Sequence, residues 1–367
     1  MKIGILTSSR ADFGIYYPLL KAIKQEKVFS LEIIAFGTHL NESYGYTINE
    51  INNFGFKVNH KIVTPVKNDD AFDISESIGE TVSLFSSFWS KEKFDLVFCL
   101  GDRYEMFAAV VAASPFNIDI AHIHAGETTI DNSYRHSISL MSKYLFVTNE
   151  IYKTRAIEII SDSNKVFNVG ALSIDNLKKQ TLFTKEEFKS NFNIDISLPS
   201  ILITFHPETV NYKQNNIFIK ELILALDILK EEYQLIITMP NSDTLGDLIR
   251  NKILNFSEKR TMVKIVESFG MKGYLTCMKY CEFLLGNTSS GFVEAAFFPK
   301  KVINLGSRQD GRIITDNIFN SKLIKKDILD TVALLKRKKE LKDTNIYGDG
   351  NAAVNIINQI KDIYEIK

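Results

Sequence analysis

Several residue types and patterns are scarce in this chain. Of 367 residues, three are cysteine (Cys99, Cys277 and Cys281), one is tryptophan and seven are proline. Three cysteines build no disulfide framework. Without a second ligand pair they suit core thiols in a reducing compartment better than a metal site. Net charge is absent too: 44 Lys+Arg balance 44 Asp+Glu. No basic field therefore argues for nucleic acid or an anionic membrane, and a small anion must be held by a few placed groups. No apolar run reaches the length of a bilayer span, and MKIGILTSSR turns polar too early for a signal peptide, so a cytoplasmic protein is expected. The turn after the first apolar run is not GxGxxG, which counts against a dinucleotide site.

What is present is a soluble globular composition, 45% hydrophobic and 24% charged. The length suits two domains of roughly 150–180 residues each. Short β-branched runs alternate with amphipathic stretches almost from end to end. In the first half, strands fit Ile3–Leu6, Leu31–Ala35, Phe94–Leu100, Asp119–His122 and Leu145–Val147. Helical periods there fit Ile15–Lys24, Asp73–Ser90, Tyr104–Ala113, Tyr134–Lys143 and Ile151–Ile160. The second half repeats the rhythm, with strands at Ser200–Thr204, Leu235–Thr238, Val263–Val266, Phe283–Leu285 and Val302–Leu305. Its helices fit Ile217–Glu231, Leu245–Leu254, Lys272–Met278 and Ser290–Ala296. Such alternation predicts an α/β protein of two doubly wound parallel sheets, with a hinge near Val169–Asp175 and the ligand at the carboxyl ends of the strands.

Polar residues just past each strand are therefore the candidates. Thr7, Ser8, Ser9 and Arg10 form either an anion seat or an ordinary helix cap with a solvated arginine. Gly101, Asp102 and Arg103 follow a fully apolar strand; Asp102 is a helix cap or an ionised carboxylate beside a phosphate-holding arginine. The stretch from His122 to His136 is the densest, with His124, Glu127, Asp131 and Arg135 between. Its two upstream histidines suit an inward core position. Glu127 and Asp131 suit general acid/base work, Asp131 having a helix cap as its alternative. In ILITFHPET, Pro207 ends the ladder and leaves His206 at the mouth of a sheet, or simply on the surface. In LLGNTSSGFVEAA, Thr288, Ser289, Ser290 and Gly291 precede a helix start, as a phosphate seat or a plain capped turn. Glu294, one turn on, could accept from a ribose diol, and Arg308 and Arg312 add positive charge. Together they describe a site for a nucleoside diphosphate.

Eight segments in order, SSRADFG, LGDRYEMFA, HIHAGE, D…YRHSI, FHPET, PNSDTLG, GNTSSGFVEA and INLGSRQDGR, make the chain resemble the hydrolysing UDP-N-acetylglucosamine 2-epimerases of bacterial sialic and legionaminic acid pathways. Two departures are visible. The family usually carries glycine at the Ala125 position, and its loop between the residues matching Glu127 and Asp131 is a few residues longer. The resemblance implies the GT-B architecture, two Rossmann-like domains with a ligand cleft between them. Residues 1–172 plus a returning C-terminal helix, 352–367, would form the N-terminal domain carrying most acid/base residues. Residues 173–351 would form the UDP-binding domain. It further implies no metal, no nicotinamide and no other cofactor, and a homodimer or tetramer. Its substrate would be a UDP-sugar, UDP-N-acetylglucosamine or UDP-2,4-diacetamido-2,4,6-trideoxyglucose, and UDP a product. Asp102, Glu127, Asp131 and His206 would be catalytic. Arg10, Arg103, Thr288, Ser289, Ser290, Gly291, Glu294 and Arg308 would bind UDP. A non-hydrolysing epimerase and a GT-B glycosyltransferase are the alternatives.

Overall fold

The run LVFCL, Leu96–Leu100, is buried along its whole length. Its side chains divide by parity: Leu96, Phe98 and Leu100 enter one apolar cluster, Val97 and Cys99 another. Apolar residues on both parities are what a strand needs inside a parallel sheet covered on both faces. The computed structural model describes residues 1–66, 71–128, 133–208, 214–239, 246–342 and 344–366. The chain divides into two units, Met1–Lys178 with Gly348–Lys367, and Lys179–Tyr347.

Among the described residues, unit one holds β1 (Lys2–Thr7), β2 (Ser30–Ala35), β3 (Val58–Lys61), β4 (Leu96–Leu100), β5 (Ile120–Ile123), β6 (Tyr144–Val147) and β7 (Val166–Asn168). They pair in parallel in the order β3-β2-β1-β4-β5-β6-β7. Between them run α1 (Arg10–Gln25), α2 (Ile48–Asn53), α3 (Ala71–Trp89), α4 (Tyr104–Ala113), α5 (Ser133–Met141), α6 (Glu150–Ile160) and α7 (Leu172–Lys179). Helix α1 begins at Arg10 and not at Ile15, because Ser9 and Asp12 form a capping box that satisfies the first amides.

Unit two holds β8 (Ser200–Thr204), β9 (Gln234–Thr238), β10 (Val263–Val266), β11 (Phe283–Gly286), β12 (Val302–Leu305) and β13 (Ile318–Ser321). Their order is β10-β9-β8-β11-β12-β13, again parallel. Its helices are α8 (Lys185–Phe192), α9 (Asn215–Leu229), α10 (Gly246–Ser257), α11 (Gly270–Tyr280), α12 (Glu294–Phe297) and α13 (Lys325–Arg337). Apolar clusters again lie on both faces of the sheet. All three cysteines are buried in the cores, and burial raises each thiol's pKa.

After unit two the chain returns to unit one as α14 (Ala352–Ile363), which sinks Ala352, Ala353, Ile356, Ile357 and Ile360 into the core beside α1. Asp175 of α7 supplies the missing cap, accepting from the amides of Ala352 and Ala353 at 2.8 Å each. No helix of the described residues is long and apolar enough to cross a membrane.

In a doubly wound sheet the order reverses where two strands without a direct connection lie side by side, and the loops there part to leave a crevice. In unit one that place is β1 beside β4. In unit two it is β8 beside β11.

Candidate functional site

At the β1/β4 reversal, Thr7 and Ser8 are buried, and the turn is already satisfied from within. The Asp12 carboxylate accepts from the Ser8 and Ser9 amides at 2.9 and 3.1 Å and from the Ser8 hydroxyl at 2.7 Å. The cap is what forms here, and the chain's own carboxylate takes the amides that an anion would use. Arg10 stands outside, its guanidinium 3.0 Å from Glu50 and its side chain 64% exposed.

After β4, Gly101 turns the chain in the left-handed region (φ +75°). Asp102 does not cap α4, whose N-cap is Arg103 with no side-chain bond. Its carboxylate accepts from Arg135 Nη2 on α5. Arg103 turns to Glu105, donating from Nη2 at 2.7 Å and Nε at 3.2 Å.

After β5 the chain turns sharply, with His124 at φ +65° and Gly126 at φ +72°. A Cβ on Gly126 would strike the Tyr152 carbonyl, so only glycine fits beside α6. The turn brings Glu127 inside at 4% exposure, 3.4 Å from the Thr148 hydroxyl and 3.5 Å from His124 Nδ1. Arg135 Nη1 donates to the His124 carbonyl at 2.7 Å and lies 3.8 Å from the second Glu127 oxygen. One buried guanidinium thus ties the loop after β4 to the loop after β5 and touches two carboxylates. Planar donors in a fixed fork suit that task, and a single ammonium does not. Asp131 lies outside the described residues.

His122 is a core residue: Nε2 meets the Gly101 carbonyl at 2.8 Å and Nδ1 the Ser139 hydroxyl at 3.0 Å. Burial holds its pKa down at about 3, so the ring is neutral and Nε2–H is the donor to the carbonyl. His39 plays a similar part after β2, between the Thr7 and Thr47 hydroxyls at 2.9 and 2.8 Å, and burial holds it at about 4. Its irregular GTHL context offers no period to read, and the motif reading passed over it.

At the β8/β11 reversal, Asn287 binds His206 in both directions, accepting its amide at 2.8 Å and donating to its carbonyl at 2.9 Å. Burial, with Arg308 adding positive charge, holds the His206 ring at about 4. Its Nδ1 is buried without a partner among the described residues. Gly286 lets β11 approach so closely that a Cβ would meet the Thr204 carbonyl. Thr288 then stands at the N-cap position of a single 3-10 turn, Ser289–Gly291, without a side-chain cap bond, and the first returning bond runs from the Gly291 amide to the Thr288 carbonyl. The amides of Ser289 and Ser290 come before that bond. Ser289 is exposed and Gly291 is buried against Val302. Glu294 opens α12, which has four residues where the periodicity predicts a helix from Ser290.

Arg308 Nη1 and Gln309 Nε2 both donate to the Asn287 carbonyl, at 3.3 and 2.9 Å, and Gln309 in turn accepts from Arg312. Glu208, buried at 1% exposure, accepts from the Ser307 amide and hydroxyl at 3.1 Å and the Arg308 amide at 3.3 Å. So Asn287, Glu208 and Gln309 set the frame on which the expected binding residues stand. Nothing in their local sequence separates them from ordinary polar loop residues.

One group among the described residues has metal-ligand spacing: Glu32, His60 and Glu92. It lies away from the reversal, and the Lys2 ammonium already pairs with both carboxylates at 3.1 and 3.2 Å.

A family model described as UDP-N-acetylglucosamine 2-epimerase matches residues 21–361. The chain belongs to the UDP-N-acetylglucosamine 2-epimerase family. Within the family it is 37% identical over 326 residues to the GDP/UDP-N,N'-diacetylbacillosamine 2-epimerase (hydrolyzing) of Campylobacter jejuni, covering 88% of this chain and 84% of that one. It is 33% identical to the UDP-N,N'-diacetylbacillosamine 2-epimerase (hydrolyzing) of Legionella pneumophila, over 99% and 96% of the two chains. A crystal structure of the UDP-GlcNAc 2-epimerase of Neisseria meningitidis bound to UDP-GlcNAc superposes with a TM-score of 0.82 at 20% identity, covering 99% of this chain and 100% of that one. That likeness is one of fold, the GT-B plan of two doubly wound units.

Proposed function

We propose that this family member eliminates UDP from a UDP-linked 2-acetamido sugar and adds water to the resulting glycal, releasing the manno-configured sugar and UDP. The Arg135 clasp carries the reading: two carboxylates, Asp102 and Glu127, held by one buried guanidinium at the carboxyl ends of β4 and β5. Epimerisation needs a base to take the weakly acidic C2 proton and an acid to return a proton to the other face. One carboxylate cannot serve both faces. Asp102, Glu127 and Asp131 are the set from which base and acid come.

Breaking the anomeric C–O bond leaves the electron pair on the β-phosphate oxygen of UDP, so hydrogen-bond donors are needed where that charge grows. The Ser289 and Ser290 amides, the Thr288–Gly291 turn and Arg308 supply them, with the neutral His206 ring beside them. Glu294 accepts from the ribose hydroxyls. Arg10 and Arg103 add charge, and Arg10, the more exposed, exchanges its Glu50 partner for a phosphate oxygen more readily.

Both relatives above are named for a diacetamido sugar, which supports UDP-2,4-diacetamido-2,4,6-trideoxyglucose over UDP-N-acetylglucosamine. The polysialic acid biosynthesis protein P7 of Escherichia coli, 31% identical over 100% of this chain and 95% of that one, supports a role in nonulosonic acid formation. The test is incubation with each sugar nucleotide in D2O. Free UDP with a sugar deuterated at C2, formed faster from the diacetamido substrate, is the expected result. Labelled sugar nucleotide without net UDP release would favour a non-hydrolysing epimerase. No label with either substrate would remove the epimerase reading.

A further inference from the structure

Three hydroxyl groups in unit two meet at the turn after β11: those of Tyr274 on α11, Ser290 and Thr288. The phenol lies 2.7 Å from Ser290 Oγ, and Ser290 Oγ lies 3.1 Å from Thr288 Oγ. The Tyr274 ring packs on the cluster of Phe269, Cys277 and Phe292, so the hydroxyl is held by a fixed body.

We propose that Tyr274 is the positioning residue of the diphosphate turn: its phenol fixes the Ser290 hydroxyl so that Ser290 donates its hydrogen to a phosphate oxygen of bound UDP. The inference rests on the reading of Thr288–Gly291 as the diphosphate seat. A phosphate oxygen is a stronger acceptor than a neighbouring hydroxyl, so it takes the Ser290 hydrogen and leaves Ser290 Oγ to accept from the phenol. Hydrogen bonds in such a chain polarise one another, and a serine held from behind loses less freedom when the ligand arrives. Burial pushes the phenol up to about 12, with the Ser290 bond pulling the other way. It keeps its proton through the neutral range and can donate throughout.

Tyr274→Phe keeps the ring and removes the hydroxyl, so the core packing is retained. UDP affinity, measured by calorimetry, is expected to fall about 5–10-fold, the scale of one hydrogen bond between neutral groups. Affinity for uridine, which carries no phosphate, is expected to stay within twofold by ligand-observed NMR. In a Ser290→Ala background the same substitution is expected to cost less than twofold in UDP affinity, because the hydroxyl it orients is gone. An equal loss in both backgrounds, or an equal loss for UDP and uridine, assigns Tyr274 a packing role and overturns the inference. Unchanged UDP affinity in Tyr274→Phe beside a loss in Ser290→Ala also overturns it, while leaving the diphosphate seat standing. If Ser289→Ala and Ser290→Ala both bind UDP as the native chain does, the seat itself is wrong and the inference falls with it.

Discussion

Arg135 is 4% exposed and reaches Asp102, Glu127 and the His124 carbonyl with one planar group. Lysine carries its donors on a single nitrogen and cannot span the oxygens that the two ends of the guanidinium reach, so Arg135→Lys is expected to lower turnover by roughly two decades. Retained far-UV circular dichroism would show that the loss is one of positioning; near-native turnover would remove Arg135 from the site. Asp102→Asn and Glu127→Gln are expected to cost roughly two decades or more each while UDP affinity is kept, and a near-normal rate in either excludes that carboxylate from proton transfer. His39 and His122 make a pH prediction. Both are fully buried and held at about 4 and about 3, against an ordinary histidine value of about 6.5. From pH 6.5 down to those values the unfolded chain binds more protons than the folded one, so stability falls as pH falls. Each ring contributes a slope of up to about 1.4 kcal/mol per pH unit in that window. Denaturant midpoints at pH 7 and pH 5 should differ accordingly, and His39→Gln should flatten the difference. An unchanged slope in that variant would mean that His39 does not titrate there.

At the scale of elements, α14 depends on a cap that its own sequence lacks. Asn351 makes no side-chain bond at its start, and Asp175 supplies both acceptors from α7. Asp175→Ala would strand two buried amides, at about 1–3 kcal/mol each. Hydrogen exchange in 352–363 should rise; unchanged protection would show that apolar packing alone holds the helix. Helices α2, α7 and α13 are also absent from the periodic pattern, but the strands it missed have a common cause. Strands β3, β7 and β13 read VNHK, VFN and IFNS and are edge strands of their sheets. An edge strand is covered less completely, so polar residues can break its apolar period, as they do in these three; the edge strand β10 reads VKIV, keeps its alternation and is legible. The central strands read as mostly apolar runs, with the buried His122 in β5 and Asn304 in β12 among the polar exceptions. The start of α1 differs in another way: the period alone begins at Ile15, whereas Ser9-x-x-Asp12 carries a capping-box signature, and the structure forms that box at the turn where an anion seat was the other reading.

At the scale of the whole molecule, UDP binding to the folded chain alone must raise its apparent stability. At a hundredfold excess over Kd the gain is about 2.7 kcal/mol, seen as a raised melting temperature that grows with the logarithm of UDP concentration. No shift with UDP, beside a clear shift with another nucleoside diphosphate, would move the reading to a different base. The amino-acid sequence by itself determined the α/β class, the two successive doubly wound halves and the strand-end loops that hold the candidate residues. It did so because buried parallel strands must be apolar on both faces, which leaves polar chemistry only beyond their ends. The order of the strands, and with it the β1/β4 and β8/β11 reversals, was decided by tertiary structure. So were the bond from Arg135 to Asp102 across 33 residues, the bond from Glu208 to the Ser307 amide across 99, and that from Asp175 to α14 across 177. A hydrogen bond is fixed by distances of about 3 Å in the folded chain, and residues that far apart in sequence acquire such distances only when the sheets assemble.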